Sequence, residues 1–229
     1  MVKYFNGSIF HSNIKNIVNT VNCDGYMGAG IALEFKIRYP EYFLDYEAKA
    51  KSGKINVGKI DYYFDQKNTI ISFPTKNHYK YLSKLEWIEN GLIHFVQTYK
   101  EMNITEVAFP KLGTSNGGLN WDEVKTLMEK YLNSLPIDVL ICLDNEVDSL
   151  SDEYKIIQRI NRLDYEDLID IFHFTSKQAD NFLKHKPIKR LRDVLKIPAI
   201  GERTYTKVYY TMMDDINNKK NIDYNIFSI

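Results

Sequence analysis

Val18-Asn19-Thr20-Val21-Asn22-Cys23-Asp24-Gly25-Tyr26-Met27-Gly28-Ala29-Gly30-Ile31-Ala32 reads as the end of a buried strand, a polar turn, a glycine loop and the start of a helix. Ile14, Ile17, Val18 and Val21 supply the β-branched apolar residues that suit a strand. Gly25, Gly28 and Gly30 release the backbone for a tight loop. From Ile31 the run Ile-Ala-Leu-Glu-Phe-Lys has helical preference, so the loop empties into a helix N-terminus. Unpaired N–H groups there suit an anion such as a diphosphate; a tight turn whose glycines serve packing is the alternative reading of the same residues. A dinucleotide fingerprint fits less well. Leu33 stands where the third glycine belongs, and no acidic residue closes a second strand about twenty residues on.

Working outward, Val2–Phe5 reads as a short strand. After the glycine loop, a helix Ile31–Tyr39 meets Pro40, which suits the first position of a second helix, Glu41–Lys51. Lys59–Phe64 and Thr69–Phe73 read as an antiparallel pair turning at Asp65–Asn68, and a polar loop from Pro74 to Ser83 follows. Leu85, Ile88, Leu92, Phe95 and Val96 fall on one face of a helix from about Lys84 to Glu101. Strand Val107–Phe109 then enters a second glycine loop, Gly113-Thr114-Ser115-Asn116-Gly117-Gly118, before helix Trp121–Leu132 and strand Asp138–Leu143. Strands alternating with helices predict a three-layer α/β/α domain over residues 1–145, with a mixed sheet of about six strands. Two strand-to-helix glycine loops predict two helix N-termini around one crevice at the strand ends.

The 229 residues carry 30 basic and 30 acidic side chains, so no global basic field advertises a nucleic-acid partner. A hydrophobic fraction of 44% with 26% charged residues is that of an ordinary globular protein. No apolar run approaches membrane-spanning length, and Met-Val-Lys-Tyr-Phe-Asn-Gly lacks a signal-peptide core. Cys23 and Cys142 are too few for a disulfide framework, which suits a reducing, cytoplasmic setting. His11, His78, His94, His173 and His185 show no ligand spacing, so neither a metal nor another cofactor is expected.

Asn19-Thr-Val-Asn22, Met27-Gly-Ala-Gly-Ile-Ala32, Phe73-Pro-Thr-Lys76-Asn-His78, Leu85-Glu-Trp-Ile-Glu-Asn-Gly-Leu92 and Pro110-Lys-Leu-Gly-Thr-Ser-Asn-Gly-Gly-Leu-Asn-Trp121 together resemble the macrodomain family, which binds ADP-ribose. The resemblance is strongest to its DarG-like branch, antitoxin glycohydrolases that remove ADP-ribose from DNA bases, related to the terminal ADP-ribose protein glycohydrolase of animals. It implies that Met27, Gly28, Ala29, Gly30, Ile31 and Ala32 face the α-phosphate side of the diphosphate. Leu112, Gly113, Thr114, Ser115, Asn116, Gly117, Gly118 and Leu119 would close over the other phosphate and the distal ribose. Ser8, Ile9, Asn19, Asn22 and Thr75 complete the implied ligand contacts. Without that likeness Asn22 reads better as a turn cap. Most macrodomains carry Asp where Ser8 stands, and a hydroxyl is a weaker acceptor for the adenine amino group than a carboxylate.

Lys76 occupies the lysine position of the lysine-using macrodomains, which implies a nucleophile at the anomeric carbon of the distal ribose. Without that likeness it reads as a solvated surface charge. Gly117 replaces the acid–base Asp of the animal relatives. A thymine-like imide leaves as a stabilised anion, so a base substrate tolerates that change. His78 suits substrate contact or proton handling, and equally a capping or packing role.

Residues 150–213 read as wholly helical, and 214–229 as a polar tail. Between Lys184 and Lys196 six basic residues stand against Asp193, a local charge of +5. Within 188–210, Ile197-Pro198-Ala199-Ile200-Gly201 resembles a helix-hairpin-helix turn, with Ala199 replacing its first glycine. That likeness implies DNA-phosphate contact by Lys189, Arg190, Arg192, Gly201 and Arg203; an ordinary helical turn with a basic face is the alternative. The expected function is thus ADP-ribosyl glycohydrolysis on modified DNA, single-stranded DNA being favoured. An ADP-ribosyltransferase toxin is a further expected partner. The rivals are an ADP-ribose-binding module without catalysis, and a hydrolase of protein-linked or small-molecule ADP-ribose esters.

Overall fold

The computed structural model describes residues 1–65 and 68–226, with side chains through residue 216. Its contacts divide the chain into two units, Met1–Glu146 and the residues from Val147 onward.

The first unit runs β1 (Val2–Phe5), β2 (Asn16–Asn22), α1 (Gly30–Arg38), α2 (Pro40–Lys51), β3 (Asp61–Phe64), β4 (Thr69–Lys76), α3 (Leu85–Thr98), β5 (Glu106–Pro110), α4 (Trp121–Leu132) and β6 (Asp138–Cys142). The strands form one six-stranded sheet in the order β1-β6-β5-β2-β4-β3. All pairs are parallel except the edge pair β3–β4, which gives the expected mixed sheet between helical layers. Of the turn expected at Asp65–Asn68, residues 66 and 67 lie outside the described residues.

Period-two alternation along the strands builds two cores. Ile17, Val21, Ile70 and Ala108 pack with Phe35, Tyr42 and Tyr46 of α1 and α2 on one face. Val18, Ile71, Val107 and Phe109 pack with Ile88, Leu92, Phe95, Val124 and Met128 of α3 and α4 on the other. Strand β4 runs three residues past the expected end at Phe73. It does so because β3 pairs only as far as Ser72, so Pro74 continues the strand where only β2 is a neighbour.

The second unit comprises α5 (Asp152–Ile160), α6 (Tyr165–Phe172), α7 (Ser176–Lys184), a 3-10 turn (Leu191–Lys196) and α8 (Glu202–Ile226). Capping boxes at Asp164/Asp167 and Thr175/Gln178 start α6 and α7. The stretch from 214, expected as a polar tail, continues α8 to Ile226; residues 227–229 lie outside the described residues. Val208, Met212 and Ile216 recur every four residues and are buried, and Asp215 pairs with Arg159 at 2.7 Å, which carries the helix through this stretch.

Arg190 is built into this unit. Its Nε donates to Glu153 Oε1 at 3.0 Å and its guanidinium NH2 donates to Oε2 at 3.2 Å, with Glu153 only 5% exposed. Leu191 N–H donates to the same carboxylate. Arg190→Ala strands a buried carboxylate and should lower unfolding stability by about 3 kcal/mol or more. The double variant Arg190→Met/Glu153→Leu should recover most of that loss. Urea unfolding of the wild type and both variants reads the difference, and an Arg190→Ala midpoint equal to that of the wild type would show the pair to be dispensable.

Candidate active site

Strands β2, β4 and β5 are neighbours, and their carboxyl ends at Asn22, Lys76 and Pro110 bring both glycine loops to one edge of the sheet. In the first loop Ala29 is extended and Gly30 turns at φ +56°, a left-handed value that disfavours any side chain. The first bond of α1 is Leu33 N–H to Ala29 O at 3.3 Å. The N–H groups of Ala29 through Ala32 therefore precede the helical ladder and face an exposed loop, an arrangement suited to phosphate oxygens.

The second loop is closed by its own backbone. Leu119 N–H reaches Gly113 O at 3.0 Å, and Ser83 N–H reaches Gly117 O at 2.9 Å. A Cβ on Gly117 would sit 2.1 Å from Gly113 O, so only glycine fits. The N-terminus of the helix after this loop carries its own caps. Asn120 Oδ1 accepts from Asp122 and Glu123 N–H groups, and those two acidic side chains occupy the first turn of α4. The second loop offers a ligand its own glycine-rich backbone and the exposed side chains of Ser115 and Asn116.

Lys76 is fastened to the second loop and to segment 77–83. A register shift between Val21 and Asn22 leaves Thr75 as the extra residue of β4, and this bulge sets where Lys76 emerges. Its Nζ donates to Asn116 O at 2.5 Å and to Tyr79 O at 3.4 Å. Asn116 also reaches the first loop, with Nδ2 3.0 Å from where a Gly30 Cβ would stand. Among the described residues Lys76 has no carboxylate partner. Burial pulls its pKa below the usual lysine value, because desolvation disfavours the charged amine. His78 lies alongside: its Nδ1 accepts from Lys80 N–H at 3.2 Å, and its Nε2 stands 3.9 Å from Asp24.

Several implied ligand residues sit beneath the surface. Asn19 is fully buried, donating to Tyr42 Oη at 3.1 Å and to Met27 Sδ at 3.8 Å, while its Oδ1 has no protein partner. It anchors the loop from below. Met27, Ile9 and Leu112 are likewise buried, and Thr75 Oγ1 turns back to Val21 O. The Asn22 amide is engaged in the turn: Oδ1 accepts from Asp24 and Tyr26 N–H groups and from Tyr46 O–H, and Nδ2 donates to Tyr26 O at 2.6 Å. Ser8 opens a 3-10 turn, Ile9–His11, with no side-chain cap, and Ile9 packs in the same core cluster as Ile31 and Phe35 of α1. Gly28, Ala29, Gly30, Ser115, Asn116 and Gly118 are exposed around the opening, with Ile31, Ala32, Thr114 and Leu119 half-exposed. Burial lifts the Cys23 thiol to about 11, so it supplies no thiolate at neutral pH. No group of three or more metal-ligating side chains occurs among the described residues.

The sequence reading missed the character of Pro74–Ser83, expected as a plain polar loop. Tyr79 and Tyr81 are exposed, Tyr79 N–H donates to Asp24 Oδ2 at 2.8 Å, and the Tyr79 ring meets Tyr26 of the first loop at 4.7 Å. The signal was present in His78-Tyr79-Lys80-Tyr81, three rings around one base.

In the second unit, Ala199 adopts φ +68° between the 3-10 turn and α8. Asn181 and Gln178 donate to the carbonyls of Pro198 and Ala199 at 2.9 and 3.0 Å. The hairpin 197–201 is thereby fixed, with Gly201 exposed before α8. The basic patch is smaller than its count. Arg190 is bound by Glu153, Lys196 pairs with Asp193 at 2.7 Å, Lys186 donates to Leu163 O, and Arg192 is engaged. Lys189 and Arg203 remain exposed.

The Macro domain family model matches residues 18–128. The "DNA ADP-ribosyl glycohydrolase" of Mycobacterium tuberculosis is 42% identical over 146 residues, which span 62% of this chain and 42% of that protein. The chain thus spans about two fifths of the length of the curated relatives it matches. The structure "Macrodomain of Mycobacterium tuberculosis DarG" superposes with a TM-score of 0.60 at 41% identity, covering 62% of this chain and 97% of that one. "Thermosipho africanus DarTG in complex with ADP-ribose" superposes with a TM-score of 0.60 at 32% identity, covering 62% and 41%. A curated Thermosipho africanus relative, 31% identical over 159 residues (61% of this chain and 41% of that protein), is named a "DNA ADP-ribosyl transferase-DNA ADP-ribosyl glycohydrolase fusion protein". Sheet order, paired glycine loops and these likenesses agree: the chain belongs to the macrodomain family.

Proposed function

We propose that the protein is an ADP-ribosyl glycohydrolase that removes ADP-ribose from a modified base of single-stranded DNA. The observation that carries this reading is Lys76, a partly desolvated amine with no carboxylate partner, standing where the two glycine loops meet. The loops alone suffice to bind a diphosphate. A lysine held on a loop carbonyl rather than on a phosphate position adds a group with chemistry to perform.

The first loop's N–H groups bind the diphosphate, and the second loop closes over the distal ribose. Lys76, released from Asn116 O, attacks the anomeric carbon as the neutral amine. The new C–N bond forms as the bond from carbon to base nitrogen breaks. The electron pair leaves on the base, which takes a proton from water, and the lysine nitrogen gives up its own proton to solvent. Water then hydrolyses the adduct, freeing ADP-ribose and restoring Lys76. An imide base is a sufficiently stable leaving anion that no carboxylate is needed at Gly117.

The named activities of the relatives support DNA as the substrate, and the fusion relative supports an ADP-ribosyltransferase as the functional counterpart. The fixed hairpin 197–201, with Lys189 and Arg203 exposed beside it in sequence, supports a phosphate contact in the second unit.

Incubation with ADP-ribosylated single-stranded DNA, and separately with ADP-ribosylated protein, tests the reading. Mass spectrometry should find free ADP-ribose and unmodified DNA from the first. Release from protein alone, or binding without release, would replace it with one of the rival functions. In the same assay Lys189→Glu/Arg203→Glu should weaken unmodified-DNA binding and flatten its salt dependence. An unchanged salt slope would remove the second unit from DNA contact.

A further inference from the structure

The segment 77–83 lies between the two glycine loops and presents rings alongside its polar side chains. Tyr26 and Tyr79 meet at 4.7 Å, His78 stacks on Tyr79 at 4.8 Å with planes 25° apart, and His78 meets Tyr81 at 4.9 Å. The four rings form one continuous series. Tyr26 is 58% exposed, Tyr79 41% and Tyr81 64%, so the series is open to solvent along its length.

The series is held in place. Asp24 fixes the Tyr79 N–H, the Tyr81 N–H reaches His78 O at 3.0 Å, and the Asn22 amide holds Tyr26 O. At its far end Leu82 lies against Gly118 of the second loop, with Cδ2 3.0 Å from where a Cβ would stand. The series also adjoins the reacting centre, since Lys76 Nζ is bound to Tyr79 O. Exposed tyrosines are ordinary one at a time. Four contacting rings, three on this fastened segment and one on the first loop, beside a nucleophile, are a surface with a job.

We propose that Tyr26, Tyr79, His78 and Tyr81 form a stacking platform for the unpaired bases that flank the modified nucleotide. The inference rests on the proposed function, because that reading brings a DNA strand to Lys76. Aromatic faces accept any base, and unstacked bases exist only in a single strand. Lys80, whose Nζ lies 5.5 Å from the Tyr79 ring, and exposed Lys84 offer phosphate contacts along the same segment. Ring faces interleaved with cations suit a nucleic-acid strand. The platform therefore selects single-stranded over duplex substrate, and it does so beside the chemistry.

A cycle of Tyr81→Ala against abasic substitution tests this. The substrates are an ADP-ribosylated single-stranded oligonucleotide, the same strand with abasic sites flanking the modified base, and an ADP-ribosylated nucleoside. Tyr81→Ala should lower kcat/KM about tenfold on the intact strand, through KM, and leave the nucleoside unchanged. On the abasic strand the variant and the wild type should be alike, and Tyr81→Phe should behave as wild type on all three. Equal losses on strand and nucleoside, or no loss on the strand, would overturn the platform. So would a loss confined to an ADP-ribosylated protein substrate. Anisotropy with an unmodified single strand separates the platform from the enzyme reading, since Tyr81→Ala should weaken it even if no substrate is turned over.

Discussion

Lys76→Ala should cut turnover of ADP-ribosylated DNA by roughly a thousandfold or more, about 4 kcal/mol of transition-state stabilisation, while ADP-ribose binding stays within about tenfold. The two readouts separate because, in the proposed function, the loops and not the lysine hold the diphosphate. The substitution also deletes the bond to Asn116 O, which frees the second loop but removes none of its backbone donors. Lys76→Arg should fail equally, since guanidinium stays protonated and cannot attack. Burial lowers the Lys76 pKa, so the neutral amine is reached at lower pH than for a solvated lysine. Activity should therefore rise with pH while the amine loses its proton, and level off below the ordinary lysine range. That limb should vanish from whatever residual rate Lys76→Ala retains. Full activity in Lys76→Ala would leave a water-based mechanism. Retained binding without any wild-type turnover would leave a reader.

The sheet was legible because the strands are written in local alternation: Ile17, Val18, Ile70, Ile71, Val107 and Ala108 each assign themselves to a face. Lys76 stood out only through its place in the family motif, since local pattern reads it as a solvated surface charge. The glycine loops are local too. What local pattern cannot carry is the partner across the fold. Asn22 and Asn19 look like ligand amides until Tyr26, Tyr42 and Tyr46 are seen to engage them. Arg190 reads as a phosphate contact until Glu153, 37 residues away, is found beneath it. Tyr26 and Tyr79 meet only because β2 and β4 pair, so the sequence shows the rings of His78-Tyr79-Lys80-Tyr81 but not their contact with Tyr26. The start of α4 was legible locally: Asn120-Trp121-Asp122-Glu123 is a helix-start signature with acidic residues in the first turn.

Gly30→Glu should reduce ADP-ribose affinity at least about a hundredfold, or 2.7 kcal/mol. Three effects add at this position. Gly30 holds φ +56°, where an L side chain costs about 1–2 kcal/mol. Its Cβ would meet Asn116 Nδ2 at 3.0 Å, pushing against the second loop. The new carboxylate would then stand among the N–H groups of Ala29 to Ala32, taking the place of the diphosphate and repelling it. Gly30→Ala carries only the first two effects and should lose about tenfold. The difference between the two variants thus isolates the charge. Both should keep the fold, because Gly30 is exposed and α1 is held by buried Leu33, Phe35 and Ile37. Thermal unfolding checks that point, and calorimetric titration with ADP-ribose reads the affinities. A folded Gly30→Glu protein with undiminished affinity would move the diphosphate away from the first loop. Because Lys76 is fixed to the second loop, it would also separate the nucleophile from the ribose it is proposed to attack.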